Sequence, residues 1–210
     1  MLVSLASFSV AAVLLVVLPG PDTLVVLRGL VRGGRGGGIR TSLGVLCGLL
    51  VWVGAAVLGL SALLRASEIG YEVLKIAGAC YLVWMGVQSL RSLRRSAPGI
   101  AQGSGTPPAQ PSMRSGGFVA GFLTDILNPK IGVLFVGFLP GFVPAGYSVG
   151  WTTLGLGAMY VVLTAVYFAV LVVASSTVAG WMQTRRVRRR LDSIAGLVLI
   201  GFGIRLATES

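Results

Sequence analysis

Leu18-Pro19-Gly20-Pro21-Asp22 and Asp125-Ile126-Leu127-Asn128-Pro129-Lys130 interrupt two stretches that are otherwise apolar enough to lie in hydrocarbon. Proline removes a backbone donor and its ring collides with the preceding turn, so each stretch reads as a helix that stops and restarts. Each break also carries ionisable side chains where a charge costs roughly 3 kcal/mol, which marks functional positions.

Around these breaks lies a membrane sequence. Of 210 residues, 55% are apolar and only 11% charged, with mean hydropathy +0.89, too hydrophobic for an ordinary soluble domain. A crossing needs about 20 mostly apolar residues. Six candidates fit, at 2–30, 41–64, 69–90, 116–139, 148–181 and 191–208. The uncharged run from Ile131 to Thr184 is too long for one crossing, and Pro140, Gly141, Pro144 and Gly146 predict the turn that divides it. Leu2 to Leu18 has the apolarity of a secretory signal but no basic start and a poor cleavage sequence, so its retention is expected.

Net charge is +11, and its placement accounts for it. Arg28, Arg32, Arg35 and Arg40 follow the first span, Arg91, Arg94, Arg95 and Arg114 the third, and Arg185, Arg186, Arg188, Arg189 and Arg190 the fifth. With six spans those loops share one side, which the positive-inside rule makes cytoplasmic, and both termini face outward. No aromatic residues interleave with the arginines, so they read as orienting groups on anionic headgroups rather than as a nucleic-acid site.

Residues 91–115 are expected to form a cytoplasmic linker. From Ser96 to Ser115 they collect Pro98, Pro107, Pro108 and Pro111 among Gly, Ser and Gln, a composition that cannot bury enough apolar surface to order itself. The linker divides one transmembrane domain, 1–210, into repeats 1–90 and 116–210 with three spans each. An odd number of spans per half gives inverted topology. The expected fold is therefore an all-α integral membrane protein of six helices in two inverted three-helix repeats, with helices 1 and 4 broken near the midplane. Matched breaks in inverted halves point to transport.

Pro21 suits a first helical position with Asp22 in the first turn, and Asn128 suits an N-cap before Pro129. The two restarted half-helices run in opposite directions, so their N-termini converge, each with unpaired N–H groups and about half a positive charge. Such a pair suits a carboxylate, and Lys130 adds a full positive charge. Asp22 and Asp125 supply the opposite sign, for an ammonium group or a proton; Asp22 and Lys130, fused to the breaks, rank above Asp125. A zwitterionic amino acid needs both signs close together, so Pro19, Gly20, Pro21, Asp22, Asp125, Asn128, Pro129 and Lys130 form the candidate substrate or ion site. The competing reading has Lys130 paired with either acid merely to neutralise buried charge, with the prolines as packing kinks.

The pattern Pro19-Gly20-Pro21-Asp22 with Arg28-Gly29, Leu43-Gly44 with Gly48, Gly78-Ala79 with Tyr81-Leu82 and Gly86, and Asn128-Pro129-Lys130 with Phe135 and Leu139-Pro140 resembles the LysE/RhtB family of bacterial amino-acid exporters. Single pieces such as Pro-Gly-Pro are weak; their order and spacing together are specific, and they cover nearly everything outside the linker. The resemblance implies a secondary transporter in the bacterial cytoplasmic membrane, driven by a proton or cation gradient, with the Pro-Gly-Pro and Asn-Pro-Lys elements carried over to residues 19–21 and 128–130. Trp52 stands where many members have histidine, and Asp125 where a neutral residue such as asparagine is commoner.

Without histidine, a proton carrier working near neutral pH has to be a carboxylate, Asp22 or Asp125. One charge moved through 100 mV releases about 2.3 kcal/mol, enough for roughly fifty-fold accumulation. Enzyme chemistry finds no support: Cys47 and Cys80 have no CxxC or His partners and read as packing residues, no zinc-spaced set occurs, and neither metal nor cofactor is expected. An ion channel or a structural membrane protein with charge-paired helices is the alternative function. Gly44, Gly48, Gly54, Gly59, Gly78, Gly86, Gly155 and Gly157 are expected to let helices approach. Gly33 to Gly38, lacking a Gly-Lys-Ser/Thr ending, is expected to be a flexible loop rather than a phosphate site. Trp52, Trp84, Trp151 and Trp181 read as packing or interfacial anchors. The partners implied are a small amino-acid substrate and the bilayer, not nucleic acid; a homo-oligomer and the identity of the amino acid stay open.

Overall fold

The computed structural model describes residues 2–18, 20–94, 117–144 and 146–174, together with 190, 193, 194, 196–198, 200, 201, 203 and 204. Pro19, residues 95–116, the arginine cluster at 185–189, Trp181 and both chain ends lie outside the described residues. All described secondary structure is helical. Two stretches, Pro21–Ala62 and Val149–Val173, are long and apolar enough to cross a membrane, and the pair Phe118–Ile126 with Pro129–Phe142, bent by 52°, passes the same test as one broken span.

The helix α1, Leu2–Val17, is uniformly apolar and stops at the first break. The helix α2 spans Pro21–Ala66 and doubles back at Gly33 and Gly34. Gly34, at φ 57 and ψ −154, occupies a region open essentially to glycine alone. Residues eight apart in a straight helix are about 12 Å apart. Here a methyl group placed on Gly37 would strike the Gly29 carbonyl, so the arms on either side of the reversal touch backbone to backbone. The expected flexible loop is thus a two-residue reversal with Gly36, Gly37 and Gly38 already helical, because only one position needs the left-handed backbone. The helix α3, Glu68–Arg94, starts where Ser67 Oγ accepts the Gly70 N–H at 2.9 Å, a side-chain N-cap, and it extends four residues into the expected linker.

The second half opens with α4, Phe118–Ile126, and α5, Pro129–Val133, which passes into a π turn over Leu134–Phe138 and a 3-10 turn over Leu139–Phe142. Pro140 and Gly141 therefore close the helix, and the turn proper lies at Pro144 to Tyr147, with Gly146 at φ 82. The helix α6 spans Val149–Val173.

Close approach fixes the packing. Methyl groups on Gly44 and Gly121 would collide with the backbones of α4 and α2 respectively, and one on Gly48 would collide with the Asp125 carboxylate, so the second arm of α2 lies directly on α4. Gly78 and Gly137 meet where α3 crosses the π turn, Gly86 meets Gly196, and Gly157 meets Val53. Gly54, Gly59 and Gly155 have nothing within 4 Å, so the expected role in helix approach does not extend to them. Arg35 donates to the Val173 carbonyl at 3.0 Å, while Gly150 lies beside Ser61. The second arm of α2 and α6 are therefore antiparallel, with the Gly33-Gly34 reversal at one pole and the turns at Ser67 and 144–147 at the other.

The core is aromatic: Phe8 meets Phe142 edge-on at 5.3 Å, and Phe135 meets Tyr160 edge-on at 5.8 Å. Outward faces carry Leu58, Val162 and Val166, which suit lipid rather than water. Trp52 packs on Gly132, whereas Trp84 and Trp151 are exposed. Cys47 is half-buried, and Cys80 is exposed on α3 rather than packed as expected, because its position turns away from the neighbours that cover Gly78 and Ala79.

Candidate functional site

In helical register the Leu15 carbonyl would accept the N–H of residue 19, but proline has none. Lys130 fills that vacancy, its Nζ donating to the Leu15 carbonyl at 3.0 Å. At the first break Pro21 opens α2, Gly20 accepts the Leu24 N–H through its carbonyl at 3.1 Å, and Asp22 stands in the first turn, favourably placed against the helix dipole.

At the second break Asn128 has two partners. Its Oδ1 accepts the Lys130 N–H at 3.1 Å, capping α5 ahead of Pro129, and its Nδ2 donates to Asp22 Oδ2 at 2.9 Å. The breaks are thus bonded to each other from positions 106 residues apart. The amides of Ile131 and Gly132 also bond to the Asn128 carbonyl. The expected free N–H groups at this helix end are therefore already taken, because an asparagine cap satisfies them locally. Positive charge on this side comes from Lys130.

Gly20, Asp22 and Lys130 share the wall of one cavity with Thr23, Tyr160 and Thr164, backed by apolar residues including Val45, Leu49 and Phe168. A methyl group on Gly20 would lie 3.7 Å from Lys130 Nζ, so the glycine keeps that approach open. The cavity leaves about 20 Å³ for the centres of water-sized molecules, room for about one water and not for an amino acid. The form is closed. Pro21, Asn128 and Pro129 are not among the lining residues, and neither is Asp125, which is fully buried at the α2–α4 seam against Gly48. Lys130 does not neutralise an acid by direct pairing as its first contact; its ammonium goes to a backbone carbonyl.

Tyr160, Thr164 and Phe168 were not foreseen. They recur at four-residue spacing on α6, but Thr152, Thr153 and Tyr167 lie in the same span, so nothing in the sequence singled them out. The Thr164 hydroxyl bonds the Tyr160 carbonyl at 2.9 Å, and Thr23 Oγ1 stands 3.5 Å from the Tyr167 hydroxyl, tying the first break to the same helix.

The chain is 32% identical to the threonine efflux protein of Escherichia coli (strain K12) over 191 residues, 90% of this chain and 89% of that one. It is 28% identical to the leucine efflux protein of Klebsiella pneumoniae over 204 residues, covering 96% and 93% of the two chains. An uncharacterized membrane protein of Bacillus subtilis (strain 168) is 29% identical over 96% of this chain and 97% of its own length. No solved structure matches. The model of the LysE type translocators matches residues 13–210, both breaks and the cavity wall included. With apolar helices broken and joined at those positions, the chain is a membrane protein and not an enzyme, and it belongs to the LysE type translocator family.

Proposed function

We propose that the protein is a secondary transporter that exports amino acids, or closely related small zwitterions, across the bacterial cytoplasmic membrane in exchange for protons. The observation that carries the reading is the bonding of two helix breaks beside a small cavity, with Asp22 and Lys130 presenting opposite charges in its wall. A zwitterion needs both signs within a few ångströms, and burial strengthens each contact. Efflux of threonine and of leucine is what two relatives are named for, which supports amino acids as the cargo class.

In this reading Gly20, Asp22 and Lys130 meet the substrate, Pro19, Pro21, Asn128 and Pro129 shape the breaks, and Asp125 serves coupling. Six spans form two inverted repeats, 1–90 and 116–210, joined by the linker 91–115, with helices 1 and 4 broken near the midplane and both termini outside. The antiparallel α2 and α6 and the Arg35-bearing reversal at one pole support that topology. The test is efflux from proteoliposomes loaded with labelled amino-acid mixtures, with and without a proton gradient. Gradient-dependent loss of at least one amino acid is expected; none lost under any gradient sinks the proposal.

A further inference from the structure

Asp125 is fully buried, and neither of its carboxylate oxygens has a hydrogen-bond partner among the described residues. Burying an unpaired charge is costly. The surroundings sharpen this. Asp125 lies in the last turn of α4, the negative end of the helix dipole. The α2 backbone closes over its carboxyl at Gly48, where any side chain would intrude. Asp22 differs by one bond: Asn128 Nδ2 donates to its Oδ2, while its Oδ1, also buried, has no hydrogen-bond partner among the described residues. Of the two acids, Asp22 thus has one oxygen bonded and Asp125 has neither bonded among the described residues.

We propose that Asp125 carries the proton exchanged for the exported amino acid and holds it as a neutral carboxylic acid in this closed form. The inference rests on the export reading above. Asp125 lies against Gly48 of α2, and Val45 and Leu49 of the same arm line the cavity, so parting the α2–α4 seam would open a path for water between the two. When the seam opens to the cytoplasm the O–H bond breaks, the proton leaves to water and the carboxylate remains. After the substrate is released outside, the carboxylate takes a proton from the outer solution and the O–H bond re-forms. One proton enters for each amino acid that leaves, so export of a zwitterion moves one positive charge inward.

Infrared spectra of the full-length protein in lipid at neutral pH test the protonation directly. The carbonyl stretch of a neutral carboxylic acid is expected in the wild type, retained in D22N and lost in D125N, whose amide mimics the protonated acid. Should D125N fail to fold, D125E is expected to keep the band at a shifted frequency. A wild type without the band, or a D125N that keeps it unchanged, overturns the proposal. In proteoliposomes loaded with a mixture of labelled amino acids, D125N is expected to lose at least tenfold of proton-driven efflux. Proton-driven efflux surviving in D125N overturns this proposal alone, whereas a wild type that moves no amino acid overturns the export reading and this one with it.

Discussion

Asn128 has more structural duties than any other residue of the site. One side chain caps α5 and bonds Asp22 across the breaks. Losing a cap costs about 0.5–2 kcal/mol, and losing a hydrogen bond to a charged group about 1.5–3 kcal/mol. N128A is therefore expected to lower stability in detergent by roughly 2–5 kcal/mol, read from its denaturant midpoint. N128D keeps the capping oxygen but sets one carboxylate against another, so it should be no better than N128A; wild-type stability in either variant would show the bond to be incidental. Lys130 is a different case. Its ammonium satisfies a carbonyl orphaned by Pro19 in the closed form and is the cation available to a substrate carboxylate when the cavity opens. K130M should stay folded, since the lysine stem is replaced by an apolar one, yet lose about 10- to 100-fold in transport, the kinetic equivalent of one charged hydrogen bond. Undiminished efflux by a folded K130M would return Lys130 to a purely structural role.

At the scale of elements, glycines with the same sequence context divide by the face they occupy. Gly48 faces α4 and Gly54 faces outward, with nothing near it. G48A is expected to destabilise the folded state and reduce its yield, because the Asp125 carboxyl and the α4 backbone would have to move. G54A should be neutral or stabilise by up to about 1 kcal/mol, the helix propensity difference. Equal effects of the two, read by thermal unfolding, would refute the packing assignment. The same contrast marks what the sequence makes legible. Both breaks could be read because proline chemistry and an asparagine cap are local, and Asp22, Asn128 and Lys130 lie where that chemistry puts them. Gly54 could not be told from Gly48, since helix rotation decides which glycine meets a neighbour. The reversal at Gly34 was hidden in a run of glycines with no register. The π turn at Leu134–Phe138 has no motif of its own and lies where Gly137 and Gly78 allow α3 to cross. Tyr160 and Thr164 join the site only through the rotation of α6, which its nearly uniform apolarity leaves unmarked.

For the molecule as a whole, the closed cavity and the distribution of arginines make one connected claim about direction. A site with room for about one water has to open to each side in turn, and export requires that the side holding Arg35 be the cytoplasm. The Gly33-Gly34 reversal and the C-terminal end of α6 lie at one pole, joined by Arg35; the turns at Ser67 and 144–147 lie at the other. Cysteines placed at the poles of a C47S/C80S background turn this into a measurement. G36C has open space around it, and Ala66 and Tyr147 are exposed. A membrane-impermeant maleimide added to whole cells should label A66C and Y147C but not G36C, and inside-out vesicles should reverse the pattern. The two outer positions come from different halves of the chain, so their agreement tests the inverted repeat as well as the orientation. Labelling of Y147C from the side that labels G36C would leave the halves parallel, and the two breaks could not then present opposite ends to one substrate.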